Sequence, residues 1–418
     1  MARLCFVAPP FAGHLNPLAA LALAAQAAGH TVEVVTGHAK LDVLTEAGLR
    51  ASAPPSLSSG ALEAIADAPH KVGVHPIRIA RQMRAAFAAI GAVRHELVLR
   101  WAADPPDLII ADFITVAPGL AADALGLPWI TTLPTPFALE AKSGPPSYLG
   151  GLKPMPGPLG QIRDRVGWAG VKAGKALLAQ IFGRQMAEMS LKRLRPDGSE
   201  AIYSADRILA LGIKELEFER DWPSAVRFIG PMHDNPEAPL PLDLKRGRSV
   251  LITLGTHLPW AKHTLIDDAR SLSREMPDIR FVVSLGRPSE RSRSPLFSEG
   301  GVEAYAFVPY DQYLQRFAAV IHHGGAGITN ACITAGKPML AVPHDYDQFD
   351  YAARIEHHEL GFRLSRIGGH DSAEKLRRLL SAPLAGTAKF ASYAKAYDPR
   401  SAFLSEVDAA LDSRRRPR

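Results

Sequence analysis

Two cysteines among 418 residues, Cys5 and Cys332, are too few for a disulfide framework, and neither sits at a metal-ligand spacing. That scarcity fits a reducing compartment. Runs of 18 or more apolar residues are also missing, so no membrane-spanning helix is predicted. The first thirty residues carry Arg3 and small apolar residues, but Pro9, Pro10, His14 and Asn16 break the run and a strand-like TVEVVTG follows. A secretory leader is therefore not expected, and the chain reads as cytoplasmic. Excess charge is scarce as well. Of the net +6, four charges match Arg414, Arg415, Arg416 and Arg418, and a body at +2 carries no nucleic-acid footprint.

What is present is a folded composition, 47% apolar and 22% charged, in a chain longer than one hydrophobic core usually supports. Short apolar runs alternate with helix-length segments throughout. In the first half they are 4–9, 31–36, 107–113 and 128–134; in the second they are 249–255, 279–286, 302–309, 319–324 and 338–343. This is the grammar of parallel sheets with crossover helices. Three prolines among charged residues in MHDNPEAPLPLDLKRGR (232–248) mark a linker. The fold class is α/β: two doubly wound domains, 1–235 and 248–418, joined by 236–247, facing each other across a ligand cleft, with room for the last helix to pack back on the first domain. A long Pro/Gly-rich stretch, 142–160, reads as a binding loop. The amphipathic segment after it suits an ordinary solvated helix, and also a helix lying on a membrane interface, so peripheral membrane contact stays open.

The segment AVIHHGGAGITNACITAG places Gly324, Gly325 and Gly327 between a strand and a helix. Glycines let backbone N–H groups approach an anion, and a helix N-terminus supplies aligned dipoles, so the turn suits a phosphate or diphosphate. It is neither GxGxxG nor GxxxxGK[ST], which argues against a nicotinamide cofactor and a P-loop NTPase. One strand later, PHDYDQFD offers Asp347 beside Gln348, a carboxylate and an amide suited to neighbouring sugar hydroxyls. DYD also matches a three-residue metal pattern; such matches are frequent by chance, and no metal is expected.

These features resemble the signature region of the inverting nucleotide-sugar glycosyltransferases of the GT-B fold, and HHGGAG…P…DQFD looks most like the bacterial members acting on macrolides, glycopeptides, sterols or lipids. The resemblance spans most of the chain, though its specific motifs occupy about a fifth of it. It implies two Rossmann-like domains, a UDP- or dTDP-sugar co-substrate with no further cofactor, and a hexose transferred to a hydroxyl of an apolar small molecule. By the same resemblance His323, Gly325, Ala326, Gly327, Ile328 and Thr329 line the diphosphate, and Asp347 and Gln348 hold the sugar. LGTH implicates Gly255 and Thr256 at a second phosphate-facing turn, and AFVPY implies that Phe307 stacks on the base while Val308 bonds it through its backbone. Two positions depart from the pattern. Ile328 replaces a Ser or Thr hydroxyl, and Ala331 replaces a glutamate that binds ribose hydroxyls, a trait of the antibiotic branch that leaves uridine or thymidine open.

In the first half, FVAPPFAGHLNP sets His14 in the loop after the first strand, and LIIADF sets Asp112 at the end of another. Each alone suits a surface histidine or a capping aspartate. Together they suit a general base and its orienting carboxylate, and they match the family's catalytic dyad. Met83, Phe87, Phe113 and Phe137 are the candidate acceptor contacts, and they suit a core equally well. Two alternatives share the nucleotide cradle: a sugar-nucleotide epimerase, and a non-catalytic sugar-nucleotide or lipid-binding protein. The oligomeric state is not legible.

Overall fold

Fully buried runs such as Leu108–Asp112 and Ser249–Thr253 need cover on both faces, and a parallel sheet between helix layers provides it. The structure, a computed structural model, describes residues 1–56, 76–232, 242, 244, 248–288, 290, 292–382 and 384–415. The first sheet comprises β1 (Arg3–Val7), β2 (Thr31–Val35), β3 (Arg50–Ser52), β4 (Leu108–Asp112), β5 (Trp129–Leu133), β6 (Ile208–Ala210) and β7 (Val226–Phe228). Its order is β3-β2-β1-β4-β5-β6-β7 with every pairing parallel.

The second sheet comprises β8 (Ser249–Thr253), β9 (Arg280–Ser284), β10 (Phe297–Glu299), β11 (Val302–Tyr305), β12 (Ala319–His322), β13 (Met339–Ala341) and β14 (Gly361–Arg363). Its order is β10-β11-β9-β8-β12-β13-β14, parallel except for the β10–β11 edge. Both sheets thus reverse strand order once, at β1/β4 in the first and β8/β12 in the second. A crevice opens at such a reversal beyond the carboxyl ends of the strands, because successive helices there leave on opposite faces.

One apolar core lies behind β1 and β4 in the first domain, and another surrounds β8, β9 and β12 in the second. A third cluster joins the domains, packing Phe137, Ile213 and Leu216 of the first against Tyr351, Ala352 and Ile355 of the second. The last helix, Pro399–Arg415, returns to the first domain, where Phe403, Val407 and Ala410 are buried beside Phe6 and Leu18. Most of the linker 236–247 lies outside the described residues. Leu242 within it is buried in the second domain's core, and its N–H donates to the Tyr313 hydroxyl at 2.6 Å.

Candidate active site

His14 and Asp112 sit on either side of the first reversal. Asp112 ends β4 and is 1% exposed; His14 follows β1. Contrary to the expected loop, His14 lies in the first turn of the helix Ala12–Ala27, because the Pro9–Pro10 pair ends the strand and the helix starts directly after Phe11. The His14 Nδ1 is 3.1 Å from both Asp112 carboxylate oxygens. Asp112 is itself held by the Ile114 N–H at 3.1 Å. With a carboxylate on Nδ1, the proton belongs on that nitrogen and Nε2 keeps its lone pair. The ring lies against Phe113 at 5.5 Å and edge-on to Phe11 at 6.3 Å. Burial works against the imidazolium, but the charge and hydrogen bond of Asp112, with help from Asp347, outweigh it and raise the His14 pKa above the ordinary histidine value.

The second reversal carries the glycine turns. Gly255 follows β8 with φ +70°, and Gly324 follows β12 with φ +87°. The His323 ring is wedged between these turns: a Cβ on Gly255 would meet its Cε1 at 2.9 Å, and one on Gly325 would meet its Nε2 at 2.4 Å. Glycine is needed there for close approach. The helix Ala326–Thr334 begins at this point, and its first backbone bond runs from the Thr329 N–H to the Gly325 carbonyl at 3.1 Å. The N–H groups of Ala326, Gly327 and Ile328 therefore have no intrahelical acceptor and form an anion-binding end. Burial first, and then His322, His344, His257 and Lys262, hold His323 well below the ordinary histidine pKa, so it stays neutral. Its Nδ1 is buried with no hydrogen-bond partner. His322 ends β12 and has a structural use, its Nδ1 accepting the Gly324 N–H at 3.0 Å; burial pushes its pKa down to about 3.

Asp347 and Gln348 open the helix Gln348–His357 after β13. The Asp347 carboxylate accepts from the Thr135 hydroxyl of the first domain at 2.8 Å. The Gln348 side-chain oxygen accepts the N–H groups of His344 at 2.8 Å and Asp345 at 3.2 Å, which leaves its amide NH2 to donate.

A cavity of about 690 Å³ lies between the two reversals. It is lined by His14, Met83 and Phe113 from the first domain, and by Gly255, Thr256, Phe307, His323, Gly325, Ala326, Gly327, Ile328, Asp347 and Gln348 from the second. Four expected contacts are not in its wall. Phe87 stacks on Phe182 at 4.8 Å, and Phe137 is fully buried between the domains against Tyr351 at 5.0 Å. Val308 is buried in the core with its N–H taken by the Ser284 hydroxyl at 3.1 Å, so that donor is not available to a base. The Thr329 side chain is fully buried behind the helix end. Ile328 fills core space with its side chain while its N–H stays in the unpaired first turn of the helix. Ala331 lines a smaller recess of about 160 Å³ beside Tyr310 and Asp311, two residues that also line the main cavity.

Sequence reasoning missed Thr135, Tyr148, His257, Trp260 and Tyr310, all in the wall. For His257 and Trp260 a signal was present, since GTHLPW continues the LGTH turn directly. Phe11 meets His257 edge-on at 5.1 Å, so the two domains touch at the rim as well as through Thr135 and Asp347.

Residues 282–390 match the model of the C-terminal domain of the erythromycin biosynthesis protein CIII-like family. The L-demethylnoviosyl transferase of Streptomyces niveus is 29% identical over 84% of this chain and 82% of its own. The solved glycotransferase of kitacinnamycin superposes with a TM-score of 0.75 at 19% identity, covering 98% of this chain and 99% of that one. This chain is a glycosyltransferase of the GT-B fold. Another solved GT-B structure, the Streptomyces sp. SF2575 glycosyltransferase SsfS6 complexed with thymidine diphosphate, matches with a TM-score of 0.64 at 19% identity over 98% of this chain and 100% of that one. In this glycosyltransferase the first domain contributes the His14–Asp112 pair and the second the two glycine turns. Among its described residues no helix is long and apolar enough to cross a membrane.

Proposed function

We propose that this glycosyltransferase moves a hexose from a nucleoside diphosphate sugar, with inversion, to a hydroxyl of an apolar natural-product-like acceptor. The observation that carries the reading is the pairing of a carboxylate-held histidine at one strand-order reversal with an unpaired helix N-terminus at the other, across one cavity. His14 Nε2 accepts the acceptor's proton as its oxygen attacks the anomeric carbon, and Asp112 stabilises the imidazolium that forms. The bond to the nucleoside diphosphate breaks, and the departing charge is held by the N–H groups of Ala326, Gly327 and Ile328, with Gly255, Thr256 and neutral His323 beside them. Asp347 and the Gln348 amide NH2 hold the sugar hydroxyls, and no further cofactor takes part.

A thymidine donor is supported by the thymidine diphosphate in SsfS6 and by Ala331, which offers no carboxylate for a ribose 2′-hydroxyl that deoxyribose lacks. The apolar side chains of Met83, Phe11 and Phe113 support an apolar acceptor. The test is a coupled assay of nucleoside diphosphate release with dTDP- and UDP-sugars against an acceptor panel. Release that requires acceptor, and that falls about 10²–10⁴-fold in His14→Ala, is the expected result. Wild-type turnover in His14→Ala, or equal release without acceptor, would sink the assignment.

A further inference from the structure

One face of the helix Gly157–Ile181 is apolar and uncovered. Leu159, Ile162, Val166, Ala173, Leu177 and Ile181 recur at helical spacing along that face, and all are exposed, Leu159 at 74%, Val166 at 67% and Ile181 at 59%. A solvated helix has the reverse arrangement. The packing face is elsewhere: Trp168 is buried and its indole N–H donates to the Gly144 carbonyl at 3.0 Å. Gly167 lies so close to the preceding loop that a Cβ would meet Pro146 at 2.5 Å and Leu149 at 3.1 Å.

Charge indicates what covers the stripe. The helix carries Arg163, Arg165, Lys172 and Lys175 against one acid, Asp164. Asp164 is held by Arg163 at 2.7 Å, and Lys175 is held by Glu200 at 2.6 Å and Glu140 at 3.3 Å. Arg165 and Lys172 have no carboxylate partner among the described residues, and at 3.6 residues per turn they fall together on one flank of the stripe, roughly 100–125° from its centre. A second copy docking face to face with its helix antiparallel would bring these cations together. Anionic headgroups complement them.

We propose that the helix Gly157–Ile181 docks on an anionic lipid bilayer, lying in the plane of the interface with its apolar stripe at the acyl boundary and Arg165 and Lys172 among the phosphates. The apolar surface continues through exposed Leu149 to Tyr148, which lines the cavity, so the docked face reaches the mouth of the site. An acceptor dissolved in the bilayer then reaches His14 without crossing water. That last consequence rests on the proposed function; the docking does not.

Sedimentation of the full-length protein with phosphatidylcholine vesicles, with and without phosphatidylglycerol, tests the docking directly. Wild type is expected to pellet with the phosphatidylglycerol vesicles and to be released by salt. Arg165→Glu and Lys172→Glu each lower partitioning at least about fivefold, and Ile162→Glu with Leu177→Glu abolishes it, with melting temperatures unchanged because these side chains are exposed. Three results overturn the proposal. One is no binding by wild type; another is binding undiminished in the helix variants, which would assign it to the arginine-rich C-terminus. The last is a wild-type dimer in light scattering that Ile162→Glu splits, which would make the face a contact between copies. Vesicle binding is read without donor or acceptor, so its failure is separable from failure of the glycosyl-transfer reading.

Discussion

At His14 two opposing forces act on one proton. Burial favours the neutral ring, while Asp112 and Asp347 favour the charged one and prevail. A base must be neutral to act, so kcat/KM is expected to fall as pH drops through a value above the ordinary histidine pKa of about 6.5. In Asp112→Asn the raising charge is gone and burial remains, so the acid limb moves to lower pH while kcat falls about 10²–10⁴-fold. A pH–rate profile of both proteins checks this; an unmoved acid limb would mean that another group is being titrated. Residues of this kind were legible because each lies at or shortly after the carboxyl end of an apolar strand run, which fixes the edge of the sheet it belongs to. Phe87 and Phe137 were not legible. An aromatic side chain looks the same in sequence whether it lines a cavity, as Phe113 does, or is buried against another ring between the domains, as Phe137 is.

The helix Gln348–His357 presents Asp347 and Gln348 to the cavity and sends Asp350 and Arg354 into the domain interface. Asp350 is 2% exposed, and burial pushes its carboxyl up to about 6 despite the Tyr148 N–H at 2.9 Å and the nearby Arg354 charge. The folded protein therefore binds more protons than the unfolded chain between about pH 4 and pH 6, and this group's contribution to stability falls as pH rises through that window. Asp350→Asn keeps an acceptor for Tyr148 and loses the titration. Its melting temperature should gain on wild type from pH 4 to pH 7, a difference approaching about 3 kcal/mol; parallel curves would show that the carboxyl does not titrate there. Long elements were readable for a physical reason, since β1, β4, β8 and β12 are buried on both faces and leave unbroken apolar runs. β3, β6, β7, β10 and β14 are three residues each, and RAS, FSE and GFR contain too little pattern to separate from loop. The register that brings them into the sheets comes from tertiary packing.

Across the whole molecule, the interface between the domains holds the two halves of the site in line. Its centre is the Arg354–Glu217 ion pair at 2.7 Å, with both side chains 3% exposed or less and the guanidinium over Phe137 at 4.0 Å and Phe218 at 4.4 Å. Removing one partner strands the other charge in an apolar surround, so Glu217→Ala should cost about 3–5 kcal/mol. The paired change Glu217→Leu with Arg354→Met should recover much of it, because neither member of the pair is then buried without the other. Denaturant unfolding of the three proteins measures both effects, and a single variant as stable as wild type would remove the pair from its proposed role. Two domains and a linker could be read from strand grammar and prolines. This interface could not, since Glu217 and Arg354 are 137 positions apart.

The returning last helix limits how such a protein can be recombined. Phe403 packs against Phe6 at 6.0 Å, and Glu406 pairs with Arg207 at 3.2 Å and Arg227 at 3.8 Å, all across a chain that has already built its second domain. A chimera cut once at the linker, pairing the first domain of one parent with the second domain of another, inherits a foreign helix in its first core. Exchange of whole domains between parents calls for two crossovers, the second just before Pro399, so that each hydrophobic core descends from a single ancestor.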